Sequence, residues 1–500
     1  MSISSLSKII VIAFSAVAFV SCGSLRGEVI LPSIFCDHMV LQHGATLPVW
    51  GKASPGEVLT VSILGHSAKT IAASDGNWRV TLPPLVASSI PQHLIVQGNN
   101  RIEIQDVLIG DVWICAGDSN MEYPLSESTG GRDTQGEPPD HNLRFFYTPK
   151  SLSENPSRST RGRWMTSSTQ NSPSFSAVGY FFARDLRSSQ HLPIGIIQCT
   201  EDESPAQTWV SHGGLSKKPS FSGYLTERVS QTADQKTPSS LFNRLMLPLL
   251  PYAITGVIWY QGESNEGFAS LEYRRLFPRL IRDWREQWNQ GSFPFFFVLA
   301  AGFGDQEGPV VESFMGDDHQ ARRALPWLRE GQSCALTLPN TGMAVATDLG
   351  ISDERQPPDK LDVGRRLALL ARKRVYGEAV VDSGPRFDEM SREGARIRVK
   401  FHDVGGGLTL GASPFQGNND GPMLQTKLTG FAVAGADGKW YAATGLIDGN
   451  SVLLTCDAVQ HPMEARYNWS GYPGGNLYNK EGLPAAPFRT DASQPYDLRK

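Results

Sequence analysis

The feature that most constrains the fold of this chain is an alternation of short apolar strands with helical stretches between about residues 107 and 384. Nearly unbroken apolar runs such as PIGIIQC, GVIWYQ, PFFFVLA and GMAVATD are typical of strands that are buried on both faces. The stretches Ala177 to Leu186 and Leu271 to Trp288 carry apolar residues on one helical face. The pattern predicts an α/β domain whose parallel sheet is covered by helices on both faces.

β patterning flanks this domain on both sides. The segments EVLTVSILG and GNWRVTLPP alternate apolar and polar residues, with turn signals at Pro55-Gly56 and Asp75-Gly76. They predict an N-terminal β-sandwich over 28–106. The hairpin-like segments GFAVAGADGKWYAA and SVLLTCD predict a C-terminal β region over 385–500. A chain of 500 residues has room for these three parts.

The N-terminus has the pattern of a secretory signal. Lys8 precedes the apolar run Ile9 to Val20, which is too short to span a bilayer. We therefore predict a signal peptide over 1–21 and an exported protein, in the periplasm, in the outer membrane or secreted. The tetrapeptide ending at Cys22 resembles a bacterial lipobox. A lipid on Cys22, as in an outer-membrane lipoprotein, and simple cleavage up to Gly27 are the two alternatives, and only the first attaches the chain to a membrane.

Charge and cysteine spacing exclude several classes of protein. The net charge is -4 and no dense run of Lys and Arg occurs, so we predict no nucleic-acid partner. The six cysteines lie far apart without a CxxC pair, which argues against a zinc ribbon or a disulfide framework. The run Asp317-Asp318-His319 is either part of a metal site or solvated surface, and short runs of this kind more often lie on the surface. We predict no metal and no cofactor.

Four polar segments follow predicted strands: 117–120, 200–204, 262–265 and 348–360. Because ligands bind beyond the carboxyl ends of strands in open parallel sheets, these segments are expected to line one crevice. Ser119 lies in a Gly-Asp-Ser-Asn turn after a strand, a position that exposes a nucleophilic hydroxyl and directs backbone N–H groups at an anion. An N-cap serine gives the same local pattern.

Several blocks of the chain resemble the sialate O-acetylesterase family of the SGNH hydrolase superfamily. The most specific are WICAGDSNMEYPL and GVIWYQGESNE, and further similar blocks are DHMVLQHGATLPVWGKASPGE, FSAVGYFFARDL and ARYNWSGYP. The resemblance implies an SGNH-type core between the two β regions. It also implies a metal-free esterase that removes O-acetyl groups from sialic acid or other glycans. By position, Ser119 is the nucleophile and Asn265 the asparagine that holds the oxyanion.

The catalytic base of the family falls on a glutamine. Where the family reads approximately D-I-H-P before V-G-R-R-L, this chain has Glu354-Arg355-Gln356-Pro357. Gln356 cannot accept and return a proton near neutral pH. Glu354 replaces the aspartate that orients the histidine. The triad that the resemblance implies is therefore incomplete at these two positions.

The segment that binds the oxyanion in the family also differs from the family pattern in this chain. The family pattern W-G-G-T-P-A falls on Glu201 to Ala206, so Asp202 and Glu203 replace glycines. Asp118 stands where the family has glutamine. Carboxylates facing the pocket would oppose a developing oxyanion.

Other histidines and aromatic residues have two interpretations each. His319 is the best substitute base and His212 a weaker one, although a surface histidine is the commoner case. His38 and His402 are expected to be structural. A further set of aromatic residues would either stack on a sugar ring or fill the core, and core is more usual: Trp113, Trp209, Trp259 and Tyr260.

The sequence thus supports two hypotheses about function. One is a carbohydrate esterase whose activity is impaired by Gln356. The other is a pseudo-esterase that binds carbohydrate without hydrolysis. A purely structural surface protein is disfavoured because Ser119 and Asn265 lie in intact local motifs.

Overall fold

The computed structural model describes residues 28–148, 162–226, 237–266, 270–304, 320–411 and 426–492. The predicted signal peptide with Cys22, and the run Asp317-Asp318-His319, lie outside these ranges, so what was inferred for them stays a prediction. Within the described ranges, no helix has both the length and the apolar character that crossing a bilayer requires.

The N-terminal region is a β-sandwich. Its strands are β1 (Val40–Gln42), β2 (Leu47–Lys52), β3 (Val58–Ile63), β4 (His66–Ile71), β5 (Asn77–Leu82), β6 (Ser88–Gln97) and β7 (Arg101–Gly117). One sheet joins β4, β3, β6, β7 and β1, and β2 pairs with β5 in a second sheet. Alternate residues of β5, such as Trp78 and Val80, are buried in the same core as Leu59 and Val61 of β3. The period-2 pattern of the sequence is what puts one face of each sheet in this core.

The middle region is an α/β domain built on a mostly parallel sheet. Its further strands are β8 (Leu143–Tyr147), β9 (Arg163–Thr166), β10 (Ile194–Thr200), β11 (Gly256–Tyr260), β12 (Phe295–Leu299) and β13 (Thr341–Val345). Its helices are α1 (Ser119–Glu122), α2 (Ala177–Gln190), α3 (His212–Ser216), α4 (Ser222–Thr226), α5 (Ser270–Trp288), α6 (Gln320–Ser333) and α7 (Lys360–Arg374). The strand order is β13-β12-β11-β7-β10-β8-β9, and β8 and β9 form its antiparallel pair.

Helices cover both faces of this sheet, as expected. Val112 and Ile114 of β7 share a core with α5, whereas Trp113 and Cys115 face α2 and α7. The helix α2 begins where the Ser176 hydroxyl accepts a hydrogen bond from the Gly179 N–H at 3.1 Å. The four aromatic residues with two interpretations are at most 1% exposed, so they belong to the core rather than to a sugar-stacking surface: Trp113, Trp209, Trp259 and Tyr260.

The strand β7 belongs to both sheets. It pairs with β6 as far as Ile109, and from Asp111 onward it pairs with β10. The predicted domain boundary at 106/107 therefore falls inside a continuous strand. Gly117 at its end is in register with Thr200 of β10 and Tyr260 of β11. Consequently the segments that follow these three strands leave the sheet at one level.

The C-terminal region is formed of small antiparallel sheets. Its strands are β14 (Arg386–Glu393), β15 (Arg396–His402), β16 (Leu408–Leu410), β17 (Phe431–Ala434), β18 (Trp440–Ala442), β19 (Thr444–Asp448), β20 (Ser451–Thr455), β21 (Glu464–Tyr467), β22 (Leu477–Asn479) and β23 (Phe488–Arg489). They enclose a core of their own. The buried guanidinium of Arg329 in α6 donates to the carbonyls of Ser470 at 2.7 Å and Ala300 at 2.9 Å. These bonds attach the region to the end of β12.

Candidate active site

Ser119 follows the central strand β7 directly. Gly117 passes close to β11, where a Cβ atom would lie 2.0 Å from the Tyr260 carbonyl oxygen. Glycine is therefore required at this point. The close passage lets α1 start at Ser119 at the carboxyl edge of the sheet, with the Ser119 side chain partly exposed.

The hydroxyl of Ser119 meets the segment after β10. It donates a hydrogen bond to the Asp202 carboxylate. The backbone N–H of Glu203 donates to Ser119 Oγ at 3.3 Å and to Asp202 Oδ1 at 3.0 Å. We call these three residues the exposed triplet, since the Asp202 and Glu203 side chains face solvent. Sequence analysis placed carboxylates near the oxyanion position but did not predict that one of them binds the hydroxyl.

Glu203 keeps a backbone conformation that suits glycine. Its φ is +48°, in the left-handed region, which costs a non-glycine residue roughly 1–2 kcal/mol. The segment is held in this conformation by Ser204, whose hydroxyl donates to the Glu201 carbonyl at 2.7 Å. The Glu203 N–H therefore points at Ser119 although residue 203 is not a glycine.

Asn265 ties the end of β11 to the same segment. Its Oδ1 accepts from the Ala206 N–H at 2.7 Å and from Gln261 Nε2 at 2.9 Å. Its Nδ2 donates to Gln207 Oε1 at 3.1 Å. Asn265 is buried, and these bonds hold the segment around Glu203 in place. An oxyanion role for its amide stays a prediction.

Beneath the exposed triplet lies a second group of polar side chains, which we call the buried cluster. Asp118, Asn120 and Lys360 are buried, and Glu263 is partly buried, with its Oε2 atom shielded from solvent. Asn120 Nδ2 donates to Glu263 Oε1 at 3.0 Å and to the Arg355 carbonyl at 2.9 Å. Lys360 Nζ donates to Asn120 Oδ1 at 2.7 Å and to the Pro357 carbonyl at 2.6 Å. With the Ser119–Asp202 contact, these bonds join all four strand-end segments, which therefore lie together as predicted. That they line a ligand-binding crevice stays a prediction.

Burial controls the protonation of this cluster. It raises the pKa of Asp118 well above its usual value, and the neighbouring Glu263 charge raises it further. Burial also raises the pKa of Glu263. It lowers the pKa of Lys360 to about 7, although the charge of Glu263 opposes that shift. Burying charges is costly unless they are paired and hydrogen-bonded. Asn120 and Lys360 are hydrogen-bonded, whereas Asp118 Oδ1 and Glu263 Oε2 have no hydrogen-bond partner among the described residues.

The sequence motifs do not point to Lys360. One signal was available, because a lysine at the first position of α7 opposes the helix dipole, whose positive end lies there. Its ammonium also lies 4.9 Å from the ring centre of Tyr123 and 5.5 Å from that of Tyr260. These contacts explain why a cation is retained at an unfavourable helix position.

The two degenerate triad positions lie on the surface of the segment before α7. Glu354 and Gln356 are both exposed, and among the described residues no hydrogen bond joins Gln356 to Ser119. Burial and then the charges of Glu127 and Glu354 raise the pKa of Tyr123, the residue that follows α1. Arg355 between them forms an ion pair with Glu266 and lies 5.2 Å over the Phe303 ring.

The described histidines do not supply a base. His212 is exposed in the first turn of α3. His38 bonds Asp106 at 2.7 Å and His402 lies 3.1 Å from Asp403, both in β regions as expected. Throughout the described ranges, no histidine contacts Ser119, and His319 lies outside them.

Metal and disulfide chemistry find no support among the described residues. No group of three or more His, Cys, Asp or Glu side chains is placed there to bind a metal ion. The described cysteines are all free thiols, and Cys115 and Cys199 are buried. Burial raises the pKa of Cys115 to about 12, so that this thiol is unreactive near neutral pH.

The chain is similar to known carbohydrate esterases. Residues 109–369 match the sequence profile described as "Carbohydrate esterase, sialic acid-specific acetylesterase". A sialate O-acetylesterase of Pongo abelii is 29% identical, over 90% of each chain, and the sialate O-acetylesterase of Homo sapiens is 29% identical over 68% of this chain and 70% of its own. The crystal structure of a carbohydrate acetylesterase from Xanthomonas citri is 36% identical and superposes with a TM-score of 0.82, covering 93% of this chain and all of that one.

Proposed function

The chain belongs to the carbohydrate esterase family of sialic acid-specific acetylesterases, and on this basis we propose that it removes acetyl groups from O-acetylated carbohydrate with Ser119 as nucleophile. One observation carries the proposal. The Ser119 hydroxyl lies at the carboxyl edge of the sheet. It donates a hydrogen bond to the Asp202 carboxylate and accepts one from the Glu203 backbone N–H. Acyl transfer requires a nucleophile that contacts both a proton acceptor and an N–H group able to hydrogen-bond the oxyanion.

The reaction is an acyl transfer through serine. Ser119 Oγ bonds to the acetyl carbon while its proton passes to Asp202, and the proton then goes to the departing sugar oxygen. Water next attacks the acetyl-serine and loses a proton to the same carboxylate. As the bond between the acetyl carbon and Ser119 Oγ breaks, Asp202 returns this proton to Ser119 Oγ, and acetic acid leaves. The Glu203 N–H stabilises the oxyanion in both halves. Support for Asp202 as acceptor comes from its contact with the hydroxyl.

The proposed rate is below that of family members with a histidine. A carboxylate is a weaker base than an imidazole. In addition, its negative charge lies beside the N–H that must hold the oxyanion, at 3.0 Å from that nitrogen. Both effects raise the barrier to acylation.

The second candidate function is carbohydrate binding without hydrolysis. Gln356 at the family's histidine position favours it, because glutamine does not exchange protons near neutral pH. In that case the crevice would still bind the acetylated sugar, and Ser119 would contribute a hydrogen bond only.

Hydrolysis of a chromogenic acetate and of an acetylated sugar by wild type and Ser119→Ala separates the two. We expect slow wild-type turnover that falls by at least about 10³-fold in Ser119→Ala, because members of a catalytic unit act together. Ser391→Ala is the matched control, since Ser391 is exposed on β14 of the C-terminal region. Wild-type turnover equal to that of Ser119→Ala would leave the binding function instead.

A further inference from the structure

Two exposed carboxylates near Ser119 form no ion pair with a described Lys or Arg, although the charge of one of them, Glu354, acts on the buried Lys360. Asp202 is exposed, and its hydrogen-bond donors are the uncharged Ser119 hydroxyl and Glu203 N–H. Glu354 is exposed on the segment before α7. In the parts of the chain that the structure describes, neither carboxylate forms an ion pair with Lys or Arg. Asp202 therefore brings negative charge directly to Ser119, and Glu354 belongs to a segment that contacts Asn120, the residue after Ser119, through the Arg355 carbonyl.

The cations of the same crevice are already paired or buried. Arg244 forms an ion pair with Glu201, the residue before Asp202. Arg355 forms an ion pair with Glu266. Lys360 is fully buried beneath Asn120 and points away from solvent. A substrate carboxylate entering the crevice would find no unpaired basic partner among these groups, because each cation has its own acceptor.

The contact between Asp202 and Ser119 fixes how close a substrate must come. An acetyl carbon bonded to Ser119 Oγ lies next to the Asp202 carboxylate, and the esterified sugar residue follows directly. Interactions between charges are screened only beyond about 8 Å at physiological ionic strength. A substrate carboxylate that the bound sugar holds within about 8 Å of Asp202 is therefore repelled by it, and acetyl positions nearer to the carboxylate are disfavoured more strongly.

We propose that Asp202 and Glu354 make the crevice selective for O-acetylated neutral sugars over acetylated sugars that carry a carboxylate, such as sialic acids. The selectivity rests on the proposed esterase function and defines its substrate class. Two like charges at about 6 Å in a water-like medium repel a third enough to change binding by about tenfold. The replacement of glycine by Asp202 thus acts on substrate choice as well as on rate.

The test compares one sugar in two charge states. O-acetylsialic acid and its carboxyl methyl ester differ by a single negative charge, and an acetylated neutral hexose serves as a third substrate. We expect kcat/KM for the methyl ester to exceed that for the free acid by about tenfold. The ratio should shrink as salt is raised. Equal values, or a preference for the free acid, would overturn the selectivity.

Variants identify the residues responsible. Asp202→Asn and Glu354→Gln should each bring the ratio about threefold closer to one, and the double variant should remove most of it. Because Asp202 also contacts the hydroxyl, its variant is judged by the ratio and not by the rate. Asp388→Asn removes an exposed charge from β14 and should leave the ratio unchanged. A ratio that responds equally to all three would assign the effect to net charge and refute the local role.

Binding to Ser119→Ala keeps the proposal testable without turnover. If wild type hydrolyses no acetate ester, the proposed function fails, and calorimetric affinities of the methyl ester and free acid for Ser119→Ala then decide the selectivity alone. A tenfold weaker free acid supports it. Equal affinities, or no measurable binding of either sugar, contradict it.

Discussion

The exposed triplet and the buried cluster lie at the ends of the same strands but are built differently. Ser119 and Asp202 share one hydrogen bond in a layer open to solvent. Directly below, Asn120 and Lys360 take part in a network in which Asn120 alone bonds three other groups. The upper layer has few contacts and an accessible hydroxyl, whereas the lower layer is enclosed by protein and carries most of the hydrogen bonds.

The difference separates chemistry from stability along three consecutive residues. Asp118 and Asn120 flank Ser119 and turn into the protein, while Ser119 faces outward. A change in the upper layer leaves polar groups that water can satisfy, so it affects rate and selectivity. A change in the lower layer leaves buried groups unsatisfied, so it affects folding. The following variants test this division.

Lys360→Met should have the largest effect on stability. It leaves Asn120 Oδ1 and the Pro357 carbonyl without their donor and removes the cation beside Glu263. We expect the free energy of unfolding to fall by about 3–5 kcal/mol, measured by urea denaturation. Asp202→Asn is the matched change in the upper layer and should stay within about 0.5 kcal/mol of wild type. Similar losses in both variants would abolish the distinction between the layers.

Glu266→Gln tests, through the pH dependence of stability, whether the Glu266 carboxyl belongs with the buried groups. Burial raises the pKa of Glu266 to about 7, against the opposing charge of Arg355. Because the pKa of Glu266 is raised in the folded state, this group contributes stability to the fold at pH values below its unfolded pKa. That contribution is lost as the pH rises to about 7. Relative to wild type, the variant should therefore gain up to about 3 kcal/mol between pH 4 and pH 8. Thermal unfolding at both pH values measures it, and a difference that does not change with pH would contradict the burial of this carboxyl.

Gln356→His should have the smallest effect. Gln356 is exposed and has no hydrogen bond to Ser119, and Asp202, Glu203 and Glu354 remain in place. We expect acetate hydrolysis to rise by less than about tenfold, well below the contribution of an established general base. Gln356→Ala is the control and should match wild type. A larger gain with histidine would mean that the segment before α7 moves toward Ser119 when the base is restored.

The sequence was informative where structure depends on local periodicity. Apolar runs such as PFFFVLA predict the parallel sheet, and the order of strand ends then brings 117–120 and 262–265 together, as found. It could not predict the contact of Ser119 with Asp202, which are 83 residues apart, because side-chain direction after β10 depends on the backbone of Glu203. Nor does a pattern of residue types show that Lys360 is buried, since lysines are mostly exposed.

The continuity of β7 has a consequence for how the protein unfolds. The first half of β7 belongs to the sandwich, and its second half is the central strand of the α/β sheet. If either sheet opens, backbone N–H and C=O groups lose their partners directly beside the groups that remain paired in the other sheet. Such adjacency links the melting of the two regions and favours a single cooperative transition over stepwise loss of domains. The N-terminal β-sandwich would then stabilise the end of β7, which Ser119 follows.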